Sequence, residues 1–286
     1  MKIIIFKIGI ISFLLISAVC QSQEFQGKAY YQTKRKVDLK LEGSEMNGSQ
    51  QEAMQEMLKK QFEKTYILTF NKEESIYKEE EKLDLPAKPT SGGIQIFFAG
   101  GGADQKYYKN TRSKTYAQEK DVFGKPFLVK DSLEVFDWVF GDESKVIGKY
   151  LCFKATVKRE VENLPRSFNH DEDKDKSEES EKTTKTETIT AWYTMDIPVS
   201  NGPDDFWGLP GLILELQDGD NMQYVCTKIV MNSKDKIEIK EPTKGKVVNN
   251  KAYKKIMEKK MKEMSEQFHG GRERKGSKGI HIKIGG

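Results

Sequence analysis

Residues 148–161 read GKYLCFKATVKREV, a strand-type run that follows a glycine turn and carries its side chains on two alternating faces. Similar runs follow downstream at Glu187–Pro198, Leu212–Leu216, Gln223–Met231 and Lys236–Lys240, and upstream at Pro126–Val129 and Val135–Phe140. Short strands at this density, separated by turn residues, point to an antiparallel sheet or barrel. No βαβ alternation appears, so a doubly wound parallel sheet is not expected. Nearer the N-terminus, Tyr66–Phe70 returns to strand chemistry, and Val37, Leu39 and Leu41 alternate with Asp38 and Lys40. Two stretches read as helices. Ser49 and Glu52 form a capping box, followed by Met54, Met57, Leu58 and Phe62 at helical spacing, which predicts a helix over 49–64. Over 250–268, Tyr253, Ile256, Met257, Met261, Met264 and Phe268 share a face. That stripe suits a core-facing helix better than a soft-metal site. The expected fold is therefore α+β, mainly antiparallel β: a curved sheet or half-barrel with two packed helices.

The first twenty residues have leader architecture. Met1-Lys2 precedes an apolar run, Ile3–Val19, interrupted by Lys7 and closed by small residues at Ala18 and Cys20. A membrane span needs about 20 apolar residues, so the expectation is a cleaved signal peptide over 1–20 and no transmembrane segment afterwards. Lipidation of Cys20 is the alternative, but Ser17 and Val19 stand in reversed order for it. Removing Lys2 and Lys7 lowers the formal charge from +4 to +2, a near-neutral balance that offers nucleic acid no basic surface. The remainder, 21–268, is expected to be one β-rich domain. It is interrupted by an acidic, apolar-poor insert at 169–186 and by a Gly-rich loop at 87–102 flanking Ile94–Phe98. A basic Gly-rich tail covers 269–286.

Few residues suggest chemistry. Asp171, Asp173, Asp175, Ser177 and Glu179 alternate as in a calcium loop, but Lys176 and Lys182 occupy the glycine and bidentate-acid places. Gly100–Gly102 lacks the ending of a phosphate loop. His170, His269 and His281 are the three histidines, and none has a partner at metal-ligand spacing. No Gly-x-Ser-x-Gly elbow exists. No catalytic residue, metal site or cofactor is assigned. Cys152 and Cys226 sit in matching frames, Tyr150-x-Cys152-x-Lys154 and Tyr224-x-Cys226-x-Lys228, and form a disulfide only if their strands lie within bonding reach.

The most specific stretch runs from Ala191 through Trp192, Gly202-Pro203, Phe206-Trp207 and Gly208-Leu209-Pro210-Gly211-Leu212-Ile213 to Leu216. With Trp138 and Lys145–Ala155 upstream, it resembles the GLPGLI family of exported proteins from Bacteroidetes-type bacteria. That resemblance implies an exported periplasmic or cell-envelope protein, with outer-membrane association as an option, and supplies no activity. Read physically, Pro210 and Gly211 suit the central positions of a type II turn. Gly202, Pro203 and Gly208 complete a crossover that tucks aromatics into the sheet. The functional alternative is a groove lined by Trp192, Phe206, Trp207 and Leu209. The expected function is a non-enzymatic envelope protein that binds a hydrophobic ligand or a protein partner. An enzyme of undetermined type is the alternative.

Overall fold

The computed structural model describes residues 25–35, 49, 63–80, 106–122, 124–163, 183–220, 222–233 and 238–270. The strands are β1 (Gln26–Arg35), β2 (Lys64–Asn71), β3 (Glu74–Glu79), β4 (Tyr107–Asn110), β5 (Thr115–Val122), β6 (Lys125–Ser132), β7 (Val139–Ile147), β8 (Tyr150–Asn163), β9 (Thr183–Thr194), β10 (Leu212–Asp218), β11 (Met222–Met231) and β12 (Lys246–Val248), followed by helix α1 (Asn250–Gly270). All twelve form one sheet in the order β12-β6-β5-β4-β3-β2-β1-β11-β10-β9-β8-β7. Two meanders, β1–β6 and β7–β11, are zipped together by β1 against β11. Each of the ten steps from β6 to β7 is antiparallel. The short β12 adds to β6 in parallel.

This corrects the α+β expectation. The fold is mainly β, a single mixed sheet, and α1 is the one helix packed on it among the described residues. Lys64, expected to close a helix over 49–64, opens β2 instead, and 50–62 lie outside the described residues. Residues 1–24, the expected strand at 37–41, the loop at 87–102 and most of the insert also lie outside them. Thr183–Thr186, assigned to that insert, already pair with Glu160–Asn163 in the β8–β9 hairpin. Val135–Trp138 are a link rather than strand, and no strand forms over 238–240.

The sheet must curl. Ser132 ends β6 and Val139 begins β7, so seven residue steps hold those ends within about 25 Å. In a flat sheet, ten strand spacings of about 4.8 Å would set β6 and β7 about 48 Å apart. Curling brings the two edge strands, β12 and β7, toward each other across one opening. The inward face is the core. In β1, Ala29, Tyr31 and Thr33 alternate as buried residues, and opposite them in β2 stand Leu68 and Tyr66. Leu68 in turn faces Tyr77, which faces Tyr107.

Two parts of the chain meet this face. At β5–β6, α1 seats Tyr253 against Val122, Phe127 and Val129. Its first turn is capped by Asn249, whose Oδ1 accepts the Ala252 N–H at 2.8 Å, and Asp131 accepts the Asn250 N–H at 3.0 Å. In the centre, residues 195–211 lie over the strands. The β7–β8 end is bare.

Candidate functional site

The segment 195–211 leaves β9, crosses the core face and returns as β10. Its ends are stitched by backbone bonds from Leu212 N–H to Ile197 O and from Ile213 N–H to Asn201 O, each 3.0 Å. Its aromatic and aliphatic residues, Ile197, Val199, Phe206, Trp207 and Leu209, are buried. The Trp207 indole donates to Glu134 O at 2.7 Å, and the Trp138 indole donates to Trp207 O at 2.9 Å. Phe136 stacks on Phe206 at 5.5 Å. The crossover thus carries the link 133–138 on its back.

The expected turn at Pro210-Gly211 is corrected. Positive φ belongs to Gly208, at 99°, and not to Gly211. Gly211 is needed for a different reason: a Cβ there would stand 2.0 Å from Thr194 O and 2.6 Å from Thr194 C. Gly202 is similarly tight, its Cβ position lying 2.7 Å from Ile213 Cδ1. Both glycines let segment and sheet approach closely. Pro203 is buried and Pro210 exposed.

Beneath the crossover lies a residue that the sequence reading missed. Lys109, on β4, has no exposed surface. Its Nζ donates to Gly202 O at 2.7 Å, Asp204 O at 2.6 Å and Phe206 O at 3.1 Å. Burial lowers its pKa to about 7, against the opposing pull of Asp205 and Asp204. Burial and the like charge of Asp205 raise the Asp204 carboxyl to about 6, while Lys109 and Lys120 act the other way. Asp204 takes a left-handed backbone, φ 49°, and accepts a long bond from Tyr224 Oη at 3.4 Å. Around it stand Tyr31, which donates to Ile213 O at 2.6 Å, and a stacked Tyr66–Tyr77 pair at 4.9 Å. Burial raises the phenol pKa of Tyr66, Tyr77, Tyr107 and Tyr224. The Tyr77 hydroxyl is buried with no partner among the described residues.

Such displaced pKa values are what an active site would show, but the geometry assigns them to holding the crossover. Three carbonyls take the three protons of the ammonium, so all its hydrogen bonds go to the crossover.

Three of the four residues expected to line a groove are buried. Phe206, Trp207 and Leu209 are filled core. Trp192 pairs with Lys154 while its neighbour Ala191 pairs with Ala155 in the core. Period-two alternation therefore places Trp192 on the outer face, where the Lys145 ammonium lies 4.3 Å from its ring centroid and bonds Glu215 at 2.7 Å. Cys152 and Cys226 carry free thiols on strands with β9 and β10 between them, so the disulfide is not formed. Burial pushes the two thiols up to about 11 and about 12. Of the histidines, 170 and 281 lie outside the described residues. Among the described residues no cluster of three metal-ligating side chains occurs, and no helix is long and apolar enough to cross a membrane.

Part of the remaining surface is apolar. The exposed large hydrophobic residues are Val135, Val139, Phe140, Val146, Leu151, Met195 and Val247, between 48 % and 68 % exposed. Val146 stands opposite Leu151, and Phe140 opposite Ala155. All four share the core face, continuing it beyond the crossover. Val247 is on β12, the other lip of the opening. Patches of this kind mark interaction surfaces.

Comparison with known proteins gives one family match over part of the chain and two distant structural similarities. A family of proteins of unknown function, Porph_ging, matches residues 138–215. No curated protein matches the sequence. Two crystal forms of PNGF-II, in space groups C2 and P21, are similar at 16 % and 14 % identity, each with a TM-score of 0.46. The similarity covers 82 % of this chain and 33 % or 34 % of theirs, so the chain spans about a third of the length of those proteins.

Proposed function

We propose that this is an exported, non-enzymatic envelope protein that binds a protein partner in the opening between β12 and β7. We take Gly208–Ile213, inside the matched family region, as a GLPGLI-type signature whose work is structural, locking the crossover on the sheet. The observation that carries the functional reading is the Phe140, Val146 and Leu151 patch, a stretch of core face left in water beside an unpaired strand edge. An open edge offers backbone donors and acceptors, and an extended partner segment satisfies them while apolar side chains cover the patch. A hydrophobic small ligand is less favoured, because the interior is occupied by the crossover.

The test is a Val146→Asp, Leu151→Asp double variant. Both sites are exposed, so its melting should stay within about 0.5 kcal/mol per site of wild type. Gently solubilised native envelope should give wild-type protein at the size of a complex and the variant at the size of a single chain. Equal sizes would contradict the reading.

A further inference from the structure

We propose that the space beneath the crossover, bounded by Asp204 and the phenols of Tyr66, Tyr77 and Tyr224, is a binding site for a small primary ammonium group. The site uses none of the residues of the opening between β12 and β7 and stands independently of the partner reading.

The first observation is an acid with no cation bonded to it. Asp204 and Asp205 are adjacent on the crossover, and among the described residues neither side chain makes an ion pair. Two lysines act on Asp204 from a distance. Lys109 spends its three protons on the carbonyls of Gly202, Asp204 and Phe206. The Lys120 ammonium sits over the Tyr253 ring, 4.8 Å from its centroid. Among the described residues the Asp204 carboxylate accepts one hydrogen bond, the long one from Tyr224 at 3.4 Å. A carboxylate has about four lone-pair sites, so most are unused. A desolvated carboxylate without a bonded counter-charge is costly, and a cation offsets that cost.

The second observation is independent of charge. Tyr77 is 5 % exposed, and its hydroxyl has no partner among the described residues. Its ring lies 4.9 Å from that of Tyr66 and within 7° of parallel. Both phenols feel the charge of Asp204, so the unpartnered hydroxyl faces the same space as the unpaired carboxylate. Buried hydroxyls in native proteins have a partner, from the protein or from something bound. Asp204 and Tyr66 keep part of their surface accessible, so the space beside them admits at least water.

The chemistry of these groups selects the ligand. An ammonium carries three donors on one positive centre. The carboxylate takes one, phenol oxygens take the others, and the tyrosine ring faces favour a cation. Water would satisfy Tyr77 and leave the acid uncompensated. An anion would meet two acids. A hard divalent ion asks for six or more oxygen ligands, and among the described residues no cluster of three metal-ligating side chains occurs.

The experiment titrates the purified full chain with methylammonium chloride and follows Tm, with potassium chloride at matched concentration as the control. Potassium has the same charge and no N–H. The expected result is a saturable rise in Tm beyond that with potassium, since a ligand of the folded state stabilises it. The rise should vanish in Asp204→Asn. In Tyr77→Phe, which loses only an unbonded hydroxyl and so folds normally, half-saturation should need about tenfold more methylammonium, the worth of one hydrogen bond to a charged group. N-acetyl-lysine amide, run in parallel, separates the sources: a matching rise assigns the site to a lysine side chain carried on a peptide, and no rise assigns it to a free amine. A rise with methylammonium no larger than with potassium would mean that the space holds water alone and would overturn the proposal. So would an unchanged half-saturation in Asp204→Asn or in Tyr77→Phe.

Discussion

Replacing Gly211 by alanine tests whether the crossover is held by close approach or by turn conformation. The added Cβ would meet Thr194 O at 2.0 Å, Thr194 C at 2.6 Å and Met195 N at 3.1 Å. All three are backbone atoms, so no side chain can swing aside; the end of β9 or the start of β10 must move. Overpacking of this kind costs about 1–3 kcal/mol and occasionally more, and a backbone contact this short belongs at the upper end. For a chain of this size about 3 kcal/mol lowers Tm by roughly 6–12 °C. The control is Gly148→Ala, where φ is 60° and the Cβ position is open. There only the left-handed backbone is strained, at about 1–2 kcal/mol. Melting curves followed by circular dichroism give both values. If Gly211→Ala melts like wild type, or less destabilised than Gly148→Ala, the close approach is not what fixes the crossover.

Further predictions concern what lies beneath and beside it. Lys109→Met should strand three buried carbonyls and destabilise by about 3–5 kcal/mol in urea titration; a loss under 1 kcal/mol would remove the clamp. Trp207→Ala should cost about 3–5 kcal/mol, and Trp207→Phe less, since it forfeits mainly the bond to Glu134 O; equal losses would mean that the indole bond outweighs the packing. For Asp204 the folded pKa is raised to about 6 from an ordinary 3.8. The folded state then holds more protons than the unfolded state between those values, so this residue's contribution to stability is full below about pH 4 and is lost as pH rises through 6. Asp204→Asn, which tolerates the left-handed backbone, should abolish that slope, worth at most about 3 kcal/mol; an unchanged pH profile would refute it.

Local strand chemistry was legible where alternation was strong: β8, β9, β10 and β11 fall where residues 148–161, 187–198, 212–216 and 223–231 placed them, within a few residues. The signature's burial was also legible, because Phe206, Trp207 and Leu209 are too apolar to be left in water. Strands β3, β4 and β5 were missed. They carry Lys78, Lys109, Lys120 and Glu119 among their tyrosines, and polar residues blur a period-two pattern. Lys109 was invisible for the same reason: one lysine among the chain's many gives no signal until the fold lays the 202–206 carbonyls on it. The role of Gly211 was misassigned because a Leu-Pro-Gly-Leu sequence specifies a turn locally, whereas the constraint comes from Thr194, seventeen residues away on another strand. Trp192 was grouped with the wrong aromatics because its face depends on strand register, which composition does not set.

The most direct test of the central claim places a photoreactive benzophenone side chain at Val146 in the native envelope, with Thr188, exposed on the outer face of β9, as the control site. The account predicts adducts at 146 and none at 188, and the cross-linked peptide should be an extended segment of alternating apolar residues. No adduct at 146, or adducts at both sites alike, would contradict it.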